Sequence, residues 1–102
     1  MNNNRKLNDS KKIIYSKIAT HPGEILKDEI EERKLIKSEV AKQLDILPGH
    51  LSELFKGKRH ISAAFALKLE ALLNISAETW LGLQNRYELT LLKNAKGKLI
   101  TH

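Results

Sequence analysis

Lys56, Lys58, Arg59 and His60 crowd around a single Gly57. An ordinary helix end needs only one or two cations to complement its dipole. A cluster of this density suits a polyanion, because Lys and Arg that neutralise phosphates release counterions from a nucleic-acid backbone. The residues just before it carry groups that reach base edges. At about 100° per residue, Leu51, Leu54 and Phe55 define one side of a helix. Gly49, Ser52, Glu53 and Lys56 lie on the other side, and His50 on a flank. Ser52 donates or accepts, Lys56 reaches guanine or a phosphate, and Glu53 accepts from cytosine N4. Glu53 has a second reading, as a solvated carboxylate or in a local ion pair with Lys56 or Lys58. Gly49 offers only close backbone approach. Lys58 and Arg59 are placed as phosphate clamps rather than base readers.

Other chemistries find little support. His21, His50, His60 and His102 are scattered without His-x-x-x-His spacing, and there is no cysteine. No metal site is indicated, and disulfides and thiolate zinc sites are excluded. There is no glycine-rich phosphate loop and no nucleophile elbow. The expectation is a protein that is not an enzyme and uses no cofactor.

These groups need a frame, and 102 residues allow one domain. Hydrophobic residues make up 41%, enough for a folded core. No apolar run approaches a membrane span, and no extended apolar stretch near the start makes a signal peptide. A cytoplasmic protein is expected. The net charge is +6, but residues 21–89 hold ten cations against eleven anions. The excess therefore sits outside the folded part. Within it the charge is polarised: residues 21–32 carry one cation and five anions, residues 33–60 seven cations and three anions. The positive segment is the one with the basic cluster, the footprint expected at DNA.

The pattern predicts an all-α, five-helix domain. Residues 1–20 read as a flexible basic arm, with Ile13, Tyr15 and Ile18 as a loosely packed tail or a short strand. A first helix opens at Pro22, faces Ile25, Leu26 and Ile30 inward, and ends near Lys34. Ser38 is expected to cap a second helix over 39–44. Pro48 opens a third, which ends at Gly57. Ser62 caps a fourth, with Phe65, Leu69, Leu72 and Leu73 inward, and Asn74 ends it. Ser76 caps a fifth, from 77 to about 93. It carries two apolar stripes, one with Trp80, Leu83, Tyr87 and Leu91, the other with Leu81, Leu89 and Leu92. The domain thus spans 21–93, and 94–102 is a basic tail. Helices two and three form a helix-turn-helix, with small Ala41 at the crossing and Asp45 at the turn, whose third helix would enter the major groove. Lys37 and Ser38, at the start of the second helix, are placed for phosphate contact.

Residues 21–89 resemble the HigA-type antitoxins, a branch of the lambda-repressor-like helix-turn-helix family. The resemblance rests on HPGEIL at 21–26, SEVAKQL at 38–44, LSELFKGKRHIS at 51–62 and ISAETWLGLQNRYEL at 75–89. It implies a small dimeric protein that binds the operator of its own operon and neutralises a ribosome-associated messenger-RNA endoribonuclease toxin. Two positions depart from the family pattern. Asp45 replaces the usual turn glycine, and Leu47, Pro48, Gly49 and His50 replace a polar run at the start of the reading helix.

Two further surfaces follow as hypotheses. Glu24, Asp28, Glu31 and Glu32 share one face of the first helix, which would dock on the basic surface of a ribonuclease. The stripe of Leu81, Leu89 and Leu92 would face a second subunit. The competing readings are a stand-alone phage or metabolic repressor without a toxin, and a protein-interaction module that has abandoned DNA.

Overall fold

The computed structural model describes residues 19–100, with side chains described as far as residue 95. The arm expected over 1–20 lies outside the described residues, apart from Ala19 and Thr20. Five helices follow in order: α1 (Pro22–Glu32), α2 (Lys37–Gln43), α3 (Pro48–Phe55), α4 (Ala63–Leu73) and α5 (Ala77–Ile100). No strand occurs among the described residues.

The helices stop where the backbone turns left-handed. Lys34, Asp45 and Gly57 have φ of 57°, 60° and 73°. At each, the next amide reaches back five residues: Leu35 to Ile30, Ile46 to Ala41, Lys58 to Glu53, all at 2.9 Å. This Schellman closure satisfies carbonyls that the helix end would orphan. Asp45 therefore fills the turn position as expected. Asn74, with φ 59°, ends α4. Ser62 and Ser76 cap α4 and α5 through bonds from the Phe65 amide at 3.2 Å and the Thr79 amide at 3.1 Å.

Two helix limits differ from expectation. α2 begins at Lys37, with Ile36 as an extended N-cap that makes no side-chain capping bond. Ser38 lies in the first turn and is not the cap. The tight closure at Lys34 and Leu35 lets the chain re-enter helix two residues early. α5 continues to Ile100 rather than ending near 93. Apart from Gly97, the residues after Leu92 include strong helix formers, and their lysines suit a helix C-terminus.

The core lies where these helices meet. Leu26 and Ile30 of α1, Val40, Ala41 and Leu44 of α2, and Leu51 and Leu54 of α3 are buried. Leu69 and Leu73 of α4 and Trp80 of α5 complete it. Ile25, Phe65, Leu72, Leu81 and Leu83 pack partly against its rim. Polar groups tie the connections. Arg33 donates to the Leu73 carbonyl at 2.8 Å, and the Ala77 amide donates to Glu70 at 2.7 Å. The Ile61 amide donates to the buried Gln84 side chain at 2.8 Å, which binds Glu88 in turn. The first three of these bonds give a partner to a backbone group that the helix ladders leave unpaired.

The tightest approach lies between α1 and α3. A Cβ on Gly23 would overlap the Leu54 carbonyl, whereas one on Gly49 would meet open space. Gly23→Ala should therefore destabilise by at least about 2–3 kcal/mol, through overpacking against backbone that has no rotamer to yield. Gly49→Ala should be neutral or stabilising by up to about 1 kcal/mol, since alanine favours helix. Urea unfolding of the two variants checks this, and equal effects would refute the asymmetry.

Candidate nucleic-acid interface

The basic exit is built on a glycine and a buried histidine. Gly57 needs its positive φ, and a Cβ there would also press on the His21 ring at 3.3 Å. His21, only 3% exposed, lies at the N-terminus of α1. Its Nδ1 accepts from the Gly23 amide at 2.8 Å, while the Glu24 carboxylate accepts from the His21 amide at 3.2 Å. The reciprocal bonds cap α1 as a capping box does. The ring also meets Tyr87 edge-on, with centroids 4.8 Å apart. One side chain thus joins the start of α1, the exit of α3 and the middle of α5.

Around this support the outer face opens. Lys37 and Ser38 at the start of α2 are exposed, as are Gly49, Ser52, Lys56, Lys58 and Arg59. Lys37 lies over the Phe55 ring, its ammonium 5.7 Å from the centroid, which links the start of α2 to the end of α3. Ala41 is 1% exposed at the crossing of the two helices, as its size predicts. His50 and Glu53 are half-buried. His50 stacks on Phe65 at 6.2 Å with the rings within 10° of parallel. Glu53 accepts from Arg59 Nε at 2.6 Å. Its ion-pair partner is thus Arg59 rather than Lys56 or Lys58. That hydrogen bond and the guanidinium charge hold the Glu53 carboxyl below its ordinary range. A cleft of about 410 Å³ opens beside them between His50, Lys58, Arg59, His60 and Phe65.

The acidic face also forms. Asp28, Glu31 and Glu32 are exposed on α1. Glu24 is exposed too but holds the cap. On α5, Leu81 is half-buried against the core, while Leu89 and Leu92 are exposed by 53% and 62%. The stripe is therefore split: its first member belongs to the domain's own packing. Leu91, expected beside Trp80, is exposed as well.

Sequence reasoning missed His21 as a cap and Gln84 as the anchor of the exit loop. Histidine is an unusual cap, so no composition rule points to it. Gln84 did leave a signal, being polar between Trp80 and Tyr87 on an otherwise apolar stripe.

The helix-turn-helix family model matches residues 26–80, just over half of the chain. Among solved structures, the antitoxin HigA of Pseudomonas aeruginosa, determined with the higBA promoter, has TM-score 0.73 and 34% identity. That likeness covers 82% of this chain and 92% of that one. An addiction module antidote protein of the HigA family from Coxiella burnetii has TM-score 0.72 and 34% identity, over 80% and 90% of the two chains. The virulence-associated protein A' of Dichelobacter nodosus is 42% identical over 71 residues, covering 69% of this chain and 62% of that protein. The chain belongs to the lambda-repressor-like helix-turn-helix family, in the branch of the HigA-type antitoxins.

The His21 contacts carry a pH dependence. Burial lowers the imidazole pKa from its ordinary value of 6.5, with His60 adding to that, while Glu24, the Arg59 backbone and Glu88 act against it. Nδ1 accepts a hydrogen bond, so the neutral ring carries its proton on Nε2. A depressed folded-state pKa means stability fully present above 6.5 and lost as pH falls through the folded value. His21→Asn keeps a capping acceptor without titrating. The stability advantage of the parent over this variant should shrink between about pH 7.5 and about pH 5.5 in urea titrations. A difference that stays constant over that range would exclude His21 as the source.

Proposed function

We propose that this chain is a cytoplasmic antitoxin that binds operator DNA as a homodimer, represses its own operon and neutralises a ribonuclease toxin. The observation that carries the DNA part is the exposed row on α3, continuous with Lys58 and Arg59 and flanked by Lys37 and Ser38 at the start of α2. Its solved relative HigA of P. aeruginosa was determined with promoter DNA, which supports the same use here. Phosphates would meet Lys37, Ser38, Lys58 and Arg59, and base edges Ser52, Lys56 and, from the backbone, Gly49. Glu53 orients Arg59, and His50 stays on the flank. A second copy would cover Leu89 and Leu92 on α5, placing two α3 helices on half-sites about one helical turn apart, or a multiple of that.

Lys58→Ala with Arg59→Ala should weaken binding to all DNA sequences alike and flatten the salt dependence by at most about two units of slope. Gel shifts over a range of salt, using DNA upstream of the chain's own reading frame, make the measurement. Unchanged affinity and slope would place the phosphate contacts elsewhere.

The toxin part rests on the exposed acidic face of α1, which suits the basic surface that an RNA-cleaving partner needs. Asp28, Glu31 and Glu32 would dock there, while Glu24 stays engaged in the cap. Asp28→Lys, Glu31→Lys and Glu32→Lys together should slow association with the product of the neighbouring gene and lower its affinity strongly, with helicity intact. Co-purification and a growth test report the outcome. A folded triple variant that still neutralises would move the toxin site to the arm or α5, and a neighbouring gene product that is no toxin would leave a stand-alone repressor.

A further inference from the structure

We propose that Leu47 determines operator sequence by reading the 5-methyl group of a pyrimidine, a thymine in unmodified DNA, in the major groove. The assignment rests on the DNA-binding reading above and names the chemistry that the start of α3 recognises.

Leu47 is the N-cap of α3, where serine, threonine, aspartate or asparagine is favoured, and it makes no side-chain capping bond. At 77% exposure it is the most exposed large apolar side chain among the described residues. It is also not held by the core: Ile46 packs against the core, and Leu47 points out. The start of a reading helix is the part that meets base edges. The polar groups there are otherwise engaged or missing. Pro48 has no amide proton, Gly49 has no side chain, His50 stacks on Phe65, and Glu53 is paired with Arg59. Ser52 and Lys56 remain for hydrogen bonding, and serine serves either base type. Nothing fills the space beside Gly49, so the groove floor can approach the backbone. An apolar side chain at the tip then has one complementary feature on the base edges, the thymine methyl. Lys37 and Lys56 are exposed on α2 and α3, which suits a site on DNA better than a purely apolar protein contact.

The probe is the DNA upstream of the chain's own reading frame, amplified with either thymidine or deoxyuridine triphosphate. Uracil keeps every hydrogen-bonding group of thymine and lacks only the methyl. The parent protein should bind uracil DNA about fourfold more weakly for each contacted methyl, the factor for burying one methyl-sized group. Leu47→Ala should bind thymine DNA more weakly and no longer distinguish the two probes. Leu47→Met, of similar volume, should keep the preference. Leu67→Ala, which removes a leucine 62% exposed on α4, should keep it fully. Equal binding of both probes by the parent, or a preference that survives in Leu47→Ala, overturns the assignment while leaving DNA binding intact. No shift of either probe at low salt overturns the DNA-binding reading and this assignment together.

Discussion

The domain depends on the close contact of α1 with α3 at Gly23. A side chain there would collide with the Leu54 carbonyl, which belongs to the last turn of α3 and also accepts from the Gly57 amide. Because both sides of the contact are backbone, it fixes the separation of the two helices more rigidly than side-chain packing does. The His21 ring lies under Gly57 and against Tyr87, so the start of α1 also fixes the turn after α3 and the position of α5. One proline-glycine opening therefore sets the geometry of the basic exit more than thirty residues downstream. The bulk of the stabilisation comes from the leucines and Trp80 of the core, but those apolar contacts are non-directional. The backbone contact and the His21 bonds select one arrangement among those that would bury the same area.

Charge is organised on this frame by segregation rather than by excess. The folded part is nearly neutral, yet the acidic residues of α1 and the basic residues of the α2–α3 unit occupy separate elements. Across the basic exit, Glu53 draws Arg59 toward α3 at 2.6 Å. The pair is half-exposed, and such pairs contribute little to stability in water. Its consequence is geometric: a long guanidinium side chain is held beside the helix instead of sampling solvent. The same carboxylate lowers the local positive potential of the exit.

The outer face of α3 shows how polar and apolar chemistry divide along a short helix. Lysines and arginine gather at its C-terminal end and exit loop, while its N-terminal end offers Leu47, Pro48 and Gly49. Proline removes a donor that a helix start would otherwise present to phosphate. Attraction is thus concentrated at one end and shape at the other.

Much of this architecture is legible in the residues. Period-3.6 apolar spacing gives all five helices, Pro22 and Pro48 mark their openings, and Ser62 and Ser76 their caps. Asp45 and Gly57 mark turns, because few residue types accept a left-handed backbone. These are local features, set within one or two turns of chain. The elements that sequence misplaced depend on groups far apart in the chain. The start of α2 moved because the closure at Lys34 is a backbone event without a composition signal. Leu81 and Leu89 share a stripe by spacing, yet Leu81 packs against the core while Leu89 and Leu92 are exposed, because at that level of α5 the covered side is the one that carries Thr90. Glu53 found Arg59 rather than its nearer lysines because the turn at Gly57 swings the exit back along α3. His21 took its role from Gly57 and Tyr87, which lie 36 and 66 residues away. The sequence determined which segments are helical and which charges they carry. Tertiary structure alone decided which side chains remain on the surface, because burial depends on what another helix brings to the same place.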